Sequence, residues 1–195
     1  MASYNAISVV SQAILDLLRY ADTPSEFNTL EYHLYDANDF LTPIPRGFSL
    51  YLWRVSISQS RRNLPPRRLP DGRVFRPSLP LDLHYLLTPW ADDPGTQQRM
   101  LGWAMRVIED VTVFPASVLN FGPSEINTFA AQEAVELICD PLALNDHFNL
   151  WDKLKTKMQT SMTYQARNIL IDSQRTVTEG DLVQTRIFHA PSAVP

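Results

Sequence analysis

Residues 59 to 80, QSRRNLPPRRLPDGRVFRPSLP, constrain this chain most, because six arginines and five prolines stand there against one acid, Asp71. Proline fixes φ and removes a backbone donor, and arginine is rarely buried without a partner, so no buried helix or strand fits most of the stretch. On both sides the pattern turns to strands. FSLYLWRVSIS, residues 48 to 58, is rich in aromatic and β-branched residues and holds Phe48, Leu50, Leu52 and Ile57 at compatible parity. LDLHYLLT, residues 81 to 88, alternates Leu81, Leu83, Tyr85 and Leu87 with Asp82, His84 and Thr88. The chain is therefore built on a sheet that carries a long excursion between two of its strands. A Pro-Asp-Gly turn signal sits inside the excursion. Segments of this kind in a compact domain are functional or mobile, since nothing else justifies so many uncovered backbone groups.

The remaining periodicities complete an α/β reading. From Asn5 to Tyr20, Ile7, Val10, Ile14, Leu17 and Leu18 recur at helical spacing, with Ser8, Ser11, Gln12, Asp16 and Arg19 on the other side. A short strand is expected over Thr29 to Tyr35, followed by a loop rich in turn residues. A second helix, Thr96 to Asp110, spreads Met100, Leu101, Trp103, Ala104, Met105, Val107 and Ile108 over more than one face, which predicts cover on two sides. Val111 to Gln132 has no firm period and reads as irregular. Glu133 to Asp140 alternates as a strand ended by Pro141, and a helix capped by Asn145 or Asp146 then lines up Leu144, Phe148, Trp151, Leu154 and Met158. Met162 to Asp172 has apolar residues on both parities, the mark of a strand inside a sheet. The expected architecture is one domain over 1–173, a mixed sheet of about four to six strands flanked by three main helices. Residues 174–195 form a carboxy-terminal arm in which LVQTRIF, 182–188, offers a possible strand.

Several function classes fall away on composition. With 195 residues, 45% of them hydrophobic, the chain can bury a core, yet no apolar run of about 18 residues is present to span a bilayer. The amino terminus, MASYNAISVV, lacks a basic start and cleavage site, so synthesis in the cytoplasm without membrane insertion is expected. A single cysteine and four scattered histidines make neither a disulfide nor a zinc set, and no metal or other cofactor is expected. The net charge of -4 argues against a general nucleic-acid binder.

Candidate chemistry is thin. Asp82 and His84 share one strand face, but as a pair without further ligands they read as hydrogen-bonding or interface residues. Asp146-His147 opens a helix, where Asp serves the cap and dipole. Cys139, in VELICDPL, reads as buried and inert. No nucleophile elbow, phosphate loop or dinucleotide fingerprint occurs, so the chain is read as a non-enzyme. Trp53, Trp90, Trp103 and Trp151 are core or interface anchors.

The order of a strand, an arginine/proline loop, PLPLDLHYLLTPW and the helix QRMLGWAMRVIED resembles the tube-terminator, or cap, proteins of extracellular contractile injection systems. The later LWDKL helix and the strand TYQARNILIDS extend the similarity over most of residues 5 to 173. The resemblance implies a structural subunit made in a bacterium: a homohexameric ring that closes the inner tube of a phage-tail-like particle and contacts the last sheath layer. On that reading Arg61, Arg62, Arg67, Arg68, Arg73 and Arg76 meet an acidic partner surface, and the helix bearing Trp103 is partly buried between subunits. Leu182, Val183, Ile187 and Phe188 would add a strand to a neighbouring subunit or to the sheath protein, the plainer alternative being a local edge strand. A tail-completion protein of a true phage, with DNA near its arginines, and a small enzyme with an unrecognised site are the competing readings.

Overall fold

In a computed structural model that describes residues 2–27, 29–121 and 128–177, the elements fall in this order. Helix α1 (Ala6–Tyr20) precedes β1 (Glu31–Tyr35) and β2 (Gly47–Ile57), after which β3 (Arg67–Arg68) and β4 (Val74–Phe75) form a small hairpin. Strand β5 (Leu79–Trp90), helix α2 (Pro94–Val111), β6 (Val113–Pro115) and α3 (Ala116–Leu119) follow. The fold closes with β7 (Ala134–Cys139), α4 (Leu144–Lys153) and β8 (Met162–Ile171). Six strands make one sheet in the order β1-β2-β5-β8-β7-β6, with β1 parallel to β2 and the other pairs antiparallel. Thus the mixed α/β domain expected from the sequence is present, and β8 lies inside the sheet.

Two irregularities set which residues share a face. Between Leu52 and Arg54 the register on β5 slips by one, so Val55 and Ile57 join the face that Phe48, Leu50 and Leu52 occupy before it. This is how Ile57, an odd position, belongs with three even ones. A second bulge lies where β8 passes Asp82, and there Asn168 takes φ of 68°. Beyond it Ile169 sits opposite Leu81, and before it Ala166 sits opposite Leu83, so the apolar stripe runs on across the strand pair.

The helices cover one side of this stripe. Val9, Val10, Ile14 and Leu18 of α1, with Met100, Ala104 and Ile108 of α2, pack on Leu83, Tyr85, Leu87, Leu137 and Ala166. Each fully buried aliphatic side chain contributes about 1.5–3 kcal/mol. Ser11, placed by its polarity on the outer side of α1, is instead buried: its hydroxyl bonds the Ile7 carbonyl and lies 2.8 Å from the Tyr85 hydroxyl. It is the partner that lets a tyrosine sit fully buried under the helix. α2 begins with Pro94 after Asp93, whose carboxylate accepts from the Thr96 amide at 2.9 Å.

The opposite side of the sheet is only half covered. Phe40, in the crossover between β1 and β2, meets Tyr35, Tyr51 and Trp151 edge-on at 5.2, 5.4 and 5.6 Å. With Leu86, Trp90 and Leu154 these rings form a second core beneath α4. Trp90 donates to the Ser49 hydroxyl at 2.8 Å, so Trp90 and Trp151 are core anchors, as expected.

Other expectations need correction. The cap of α4 is Ala143, with no side-chain bond, and Leu144, Phe148 and Met158 are exposed while Trp151 and Leu154 are buried. The helix ends at Lys153, so Met158 never reaches its face. Cys139 is exposed rather than buried, because it terminates β7 where cover runs out. The segment read as irregular contains β6 and α3, too short for a period to show. Among the described residues no helix is long and apolar enough to cross a membrane.

Gly47 is the tightest point of the sheet. Its φ is +147°, and a Cβ there would lie 2.0 Å from the Glu31 carbonyl oxygen, across the β1–β2 pairing. Gly47→Ala should therefore lower the unfolding free energy by roughly 3 kcal/mol or more, measured by denaturant melts, with β1 the first element to lose protection from hydrogen exchange.

Candidate interaction surfaces

The arginine/proline excursion is a folded hairpin rather than an open loop. Arg67 and Arg68 pair with Phe75 and Val74, and the turn closes through Leu69 N–H to Arg73 carbonyl at 2.9 Å. Gly72, at φ of +85°, supplies the left-handed residue that the Pro-Asp-Gly signal predicts. Val74 and Phe75 are buried. The Arg67 and Arg73 guanidiniums both lie over the Phe75 ring, 4.9 and 5.6 Å from its centroid. Arg73 also pairs with Asp71 at 2.7 Å, and bonds from the Arg73 amide and guanidinium hold the Asp71 carboxyl below its ordinary range.

The hairpin is tied to the chain beyond β8. Arg67 lies 3.6 Å from Asp172 and donates to the Ser173 carbonyl at 3.4 Å. Arg76 N–H donates to the Arg175 carbonyl at 3.0 Å, Val177 N–H donates to the Val74 carbonyl at 2.7 Å, and Phe75 bridges Thr176. Residues 175–177 therefore lie along β4 as a third rung. Arg67 and Arg73 brace the hairpin around Phe75, Arg73 while itself exposed, and Arg61, Arg62, Arg68 and Arg76 are also exposed.

The other predicted partner residues lie elsewhere. Trp103 is half-buried on the helical side, 6.1 Å from Phe27 and 5.9 Å from Phe48, so much of its ring is used within the chain. Leu182, Val183, Ile187 and Phe188 fall outside the described residues.

The uncovered half of the second sheet face is polar. A trough of about 440 Å³ is lined by Arg54, Ser56, Asp82, His84, Gln165 and Arg167. His84 Nε2 lies 3.1 Å from the Ser56 hydroxyl, and Nδ1 lies 3.6 Å from an Asp140 oxygen. Serine, histidine and aspartate thus stand in catalytic order, a juxtaposition the sequence did not reveal because the three are far apart in the chain. The geometry does not support catalysis, since 3.6 Å exceeds hydrogen-bonding reach and Ser56 sits within a strand rather than on a strained elbow. Burial, and then the Arg54 charge, push His84 below its ordinary value, against the opposing pull of Asp140 and Asp82.

The remaining reactive groups are equally bland. Partial burial, with Glu109 and Asp140 nearby, pushes the Cys139 thiol up, the opposite of an activated nucleophile. His147 accepts the Trp151 indole N–H at 3.2 Å, a packing bond within α4. Among the described residues no cluster of three or more metal-binding side chains occurs.

One surface escaped the sequence reading. Between α1, α2 and α3 runs an apolar groove of about 490 Å³, floored by Leu17, Val107 and Val118 and rimmed by Asp16 and Asp110. Tyr20 and Phe121 stand on it edge-on, 6.3 Å apart and more than 70% exposed. Only the pairing of an exposed helix end with a segment lacking any period creates it, so no one-dimensional pattern announces it.

Residues 10–185 match the Pvc16 N-terminal domain family. No curated protein matches the chain. Among solved structures, the fold is similar to the sheath/tube terminator of an extracellular contractile injection system, PVC, in its extended state. That match has a TM-score of 0.61 and 15% identity over 96% of this chain. It is also similar to the anti-feeding prophage cap, a tube-terminating cap, with a TM-score of 0.57 and 16% identity over 93% of this chain. The chain spans 65% and 60% of the lengths of those two proteins.

Two outcomes follow from the geometry. A chain ending at Ser173 should keep its core circular-dichroism signal but lose the 175–177 rung, so trypsin should cut the hairpin arginines several-fold faster than in the full chain. His84 has a folded-state pKa below its ordinary 6.5, so the stability it contributes is complete above that value and declines as pH falls toward the folded value. His147 is displaced in the same direction. His84→Gln should accordingly flatten, without abolishing, the fall in denaturation midpoint between about pH 7 and pH 5.

Proposed function

The chain belongs to the Pvc16 N-terminal domain family, and on that premise we propose that it is a structural cap subunit of a contractile injection system. A homohexameric ring of this chain closes the inner tube and meets the terminal sheath layer of an assembled injection particle. The observation that carries this reading is the fold shared with a sheath/tube terminator and a tube-terminating cap over more than nine-tenths of the chain. Capping requires buried interface, not titrating side chains, and a ring seated on a tube end stops growth by occupying the surface on which the next ring would dock. The geometry suits such work: the raised Cys139 thiol is a poor nucleophile, the nearest Asp140 oxygen stands 3.6 Å from His84, and the exposed features are guanidiniums and apolar surface.

Within this reading Arg61, Arg62, Arg68 and Arg76 contact acidic partner surfaces, and Arg67 and Arg73 hold the hairpin that presents them. The exposed part of the Trp103 helix is buried between subunits. The arm bearing Leu182, Val183, Ile187 and Phe188 adds a strand to a neighbouring subunit or to the sheath protein. Binding of DNA, as in a tail-completion protein, has less support, because Phe75, the one aromatic ring of residues 59–80, is taken up by Arg67 and Arg73 and offers no base-stacking platform.

The purified protein should assemble into six-subunit rings that seat on the ends of tubes built from its host's tube protein, as read by solution mass and electron microscopy. A monomer that ignores both tube and sheath proteins would overturn the proposal. Salt-sensitive binding to duplex DNA would instead move it to the tail-completion reading.

A further inference from the structure

The apolar groove on the helical side has no role in the contacts above. We infer that it receives the Leu64–Pro66 edge of the arginine hairpin of a second copy, so that hairpin-to-groove contacts join adjacent subunits head to tail. The inference rests on the ring reading and names the surfaces that close the ring.

The groove has the character of a proline-peptide site. Tyr20 and Phe121 expose most of their rings at one end of an apolar floor, and aromatic surface of that size in water marks an interaction site. Asp16 and Asp110 stand at the rim. Their present partners, Arg19 and Gln12 for Asp16 and Arg106 for Asp110, are exposed neighbours on their own helices, and such surface pairs hold carboxylates weakly. A carboxylate has enough lone pairs to accept a second guanidinium as well.

The hairpin carries the matching chemistry. Leu64, Pro65 and Pro66 run outside regular structure, both prolines are exposed, and Arg61 and Arg62 precede them with exposed side chains. An extended proline segment enters an aromatic-lined groove with little entropy left to lose, and a flanking arginine then finds the acid at the rim. Charge points to a second copy as the occupant. Six of the chain's 17 basic residues but only one of its 21 acidic residues lie in 59–80, so the natural complement of the hairpin is the acidic body of the same protein.

The contact is between copies because the hairpin is held in place on its own. Arg67 is tied to Asp172 and Ser173, and β4 to Arg175 and Val177, at the end of β8. Groove and hairpin edge share no residue, so each copy can offer its hairpin to one neighbour and its groove to another; repeated head to tail, such a contact closes a ring where its rotation divides a full turn.

Disulfide trapping in the full chain tests this. In a Cys139→Ser background, Pro65→Cys is combined with Val118→Cys, and the assembled protein is mildly oxidised and run without reductant. Leu64→Cys with Ser117→Cys repeats the reading if the first pair fails to fold. The expected result is a ladder of covalent multimers that collapses on reduction and is absent from either single-cysteine parent beyond a dimer. Multimers of normal mass that give no ladder overturn this contact and leave the cap reading standing. A fast-migrating internally linked monomer also overturns it, since the chain's own hairpin would then be the occupant. Monomers without a ladder, even with tube protein present, overturn both readings.

Discussion

Everything in this domain is hung on β5, a twelve-residue strand paired along both edges, buried on its helix side from Leu81 onward and on both faces from Tyr85 to Trp90. Leu81, Leu83, Tyr85 and Leu87 face the helices, while Leu86, Thr88 and Trp90 face the aromatic core under α4. A strand with two buried faces cannot slip by one residue without exchanging two apolar sets of different shape, so its register is strongly specified. The bulges at Trp53 and opposite Asp82 lie on its partners, not on β5 itself, and they adapt β2 and β8 to this fixed element.

That arrangement also explains where function can sit. The helices close one face, the α4 cluster closes half of the other, and the chain between β2 and β5 emerges at the end where Asp172 stands. The arginine segment is thereby anchored at a single end of the sheet. Cation–π contacts to Phe75 and the backbone rung at 175–177 give it a fixed shape, which lowers the entropy lost when it meets a partner. The start of the arm and the hairpin share hydrogen bonds, so a load on one is felt by the other.

Legibility followed the length of each pattern. α1, β2, β5, α2 and β8 each supply enough residues for a period to rise above noise, and their boundaries were readable to within a few positions. β3, β4, β6 and α3 are two to four residues long and leave no period; they exist because tertiary neighbours complete their hydrogen bonds. Ser11 reads as polar and exposed until Tyr85 is placed above it, and Cys139 reads as buried until β7 is seen to end where cover stops.

The sequence by itself determined the α/β class, the succession of long strands and helices, the arginine/proline excursion between two strands, and the resemblance to tube terminators. Each of these is local, carried by residues adjacent in the chain. Tertiary structure alone decided which arginines brace the hairpin, because the anchoring of Arg67 and of Phe75 depends on Asp172 and Thr176 arriving from beyond β8. It likewise decided the Ser56–His84–Asp140 alignment and the acid-rimmed apolar groove. These surfaces are sums of side chains from separate elements, and proximity between separate elements is written in packing, not in periodicity.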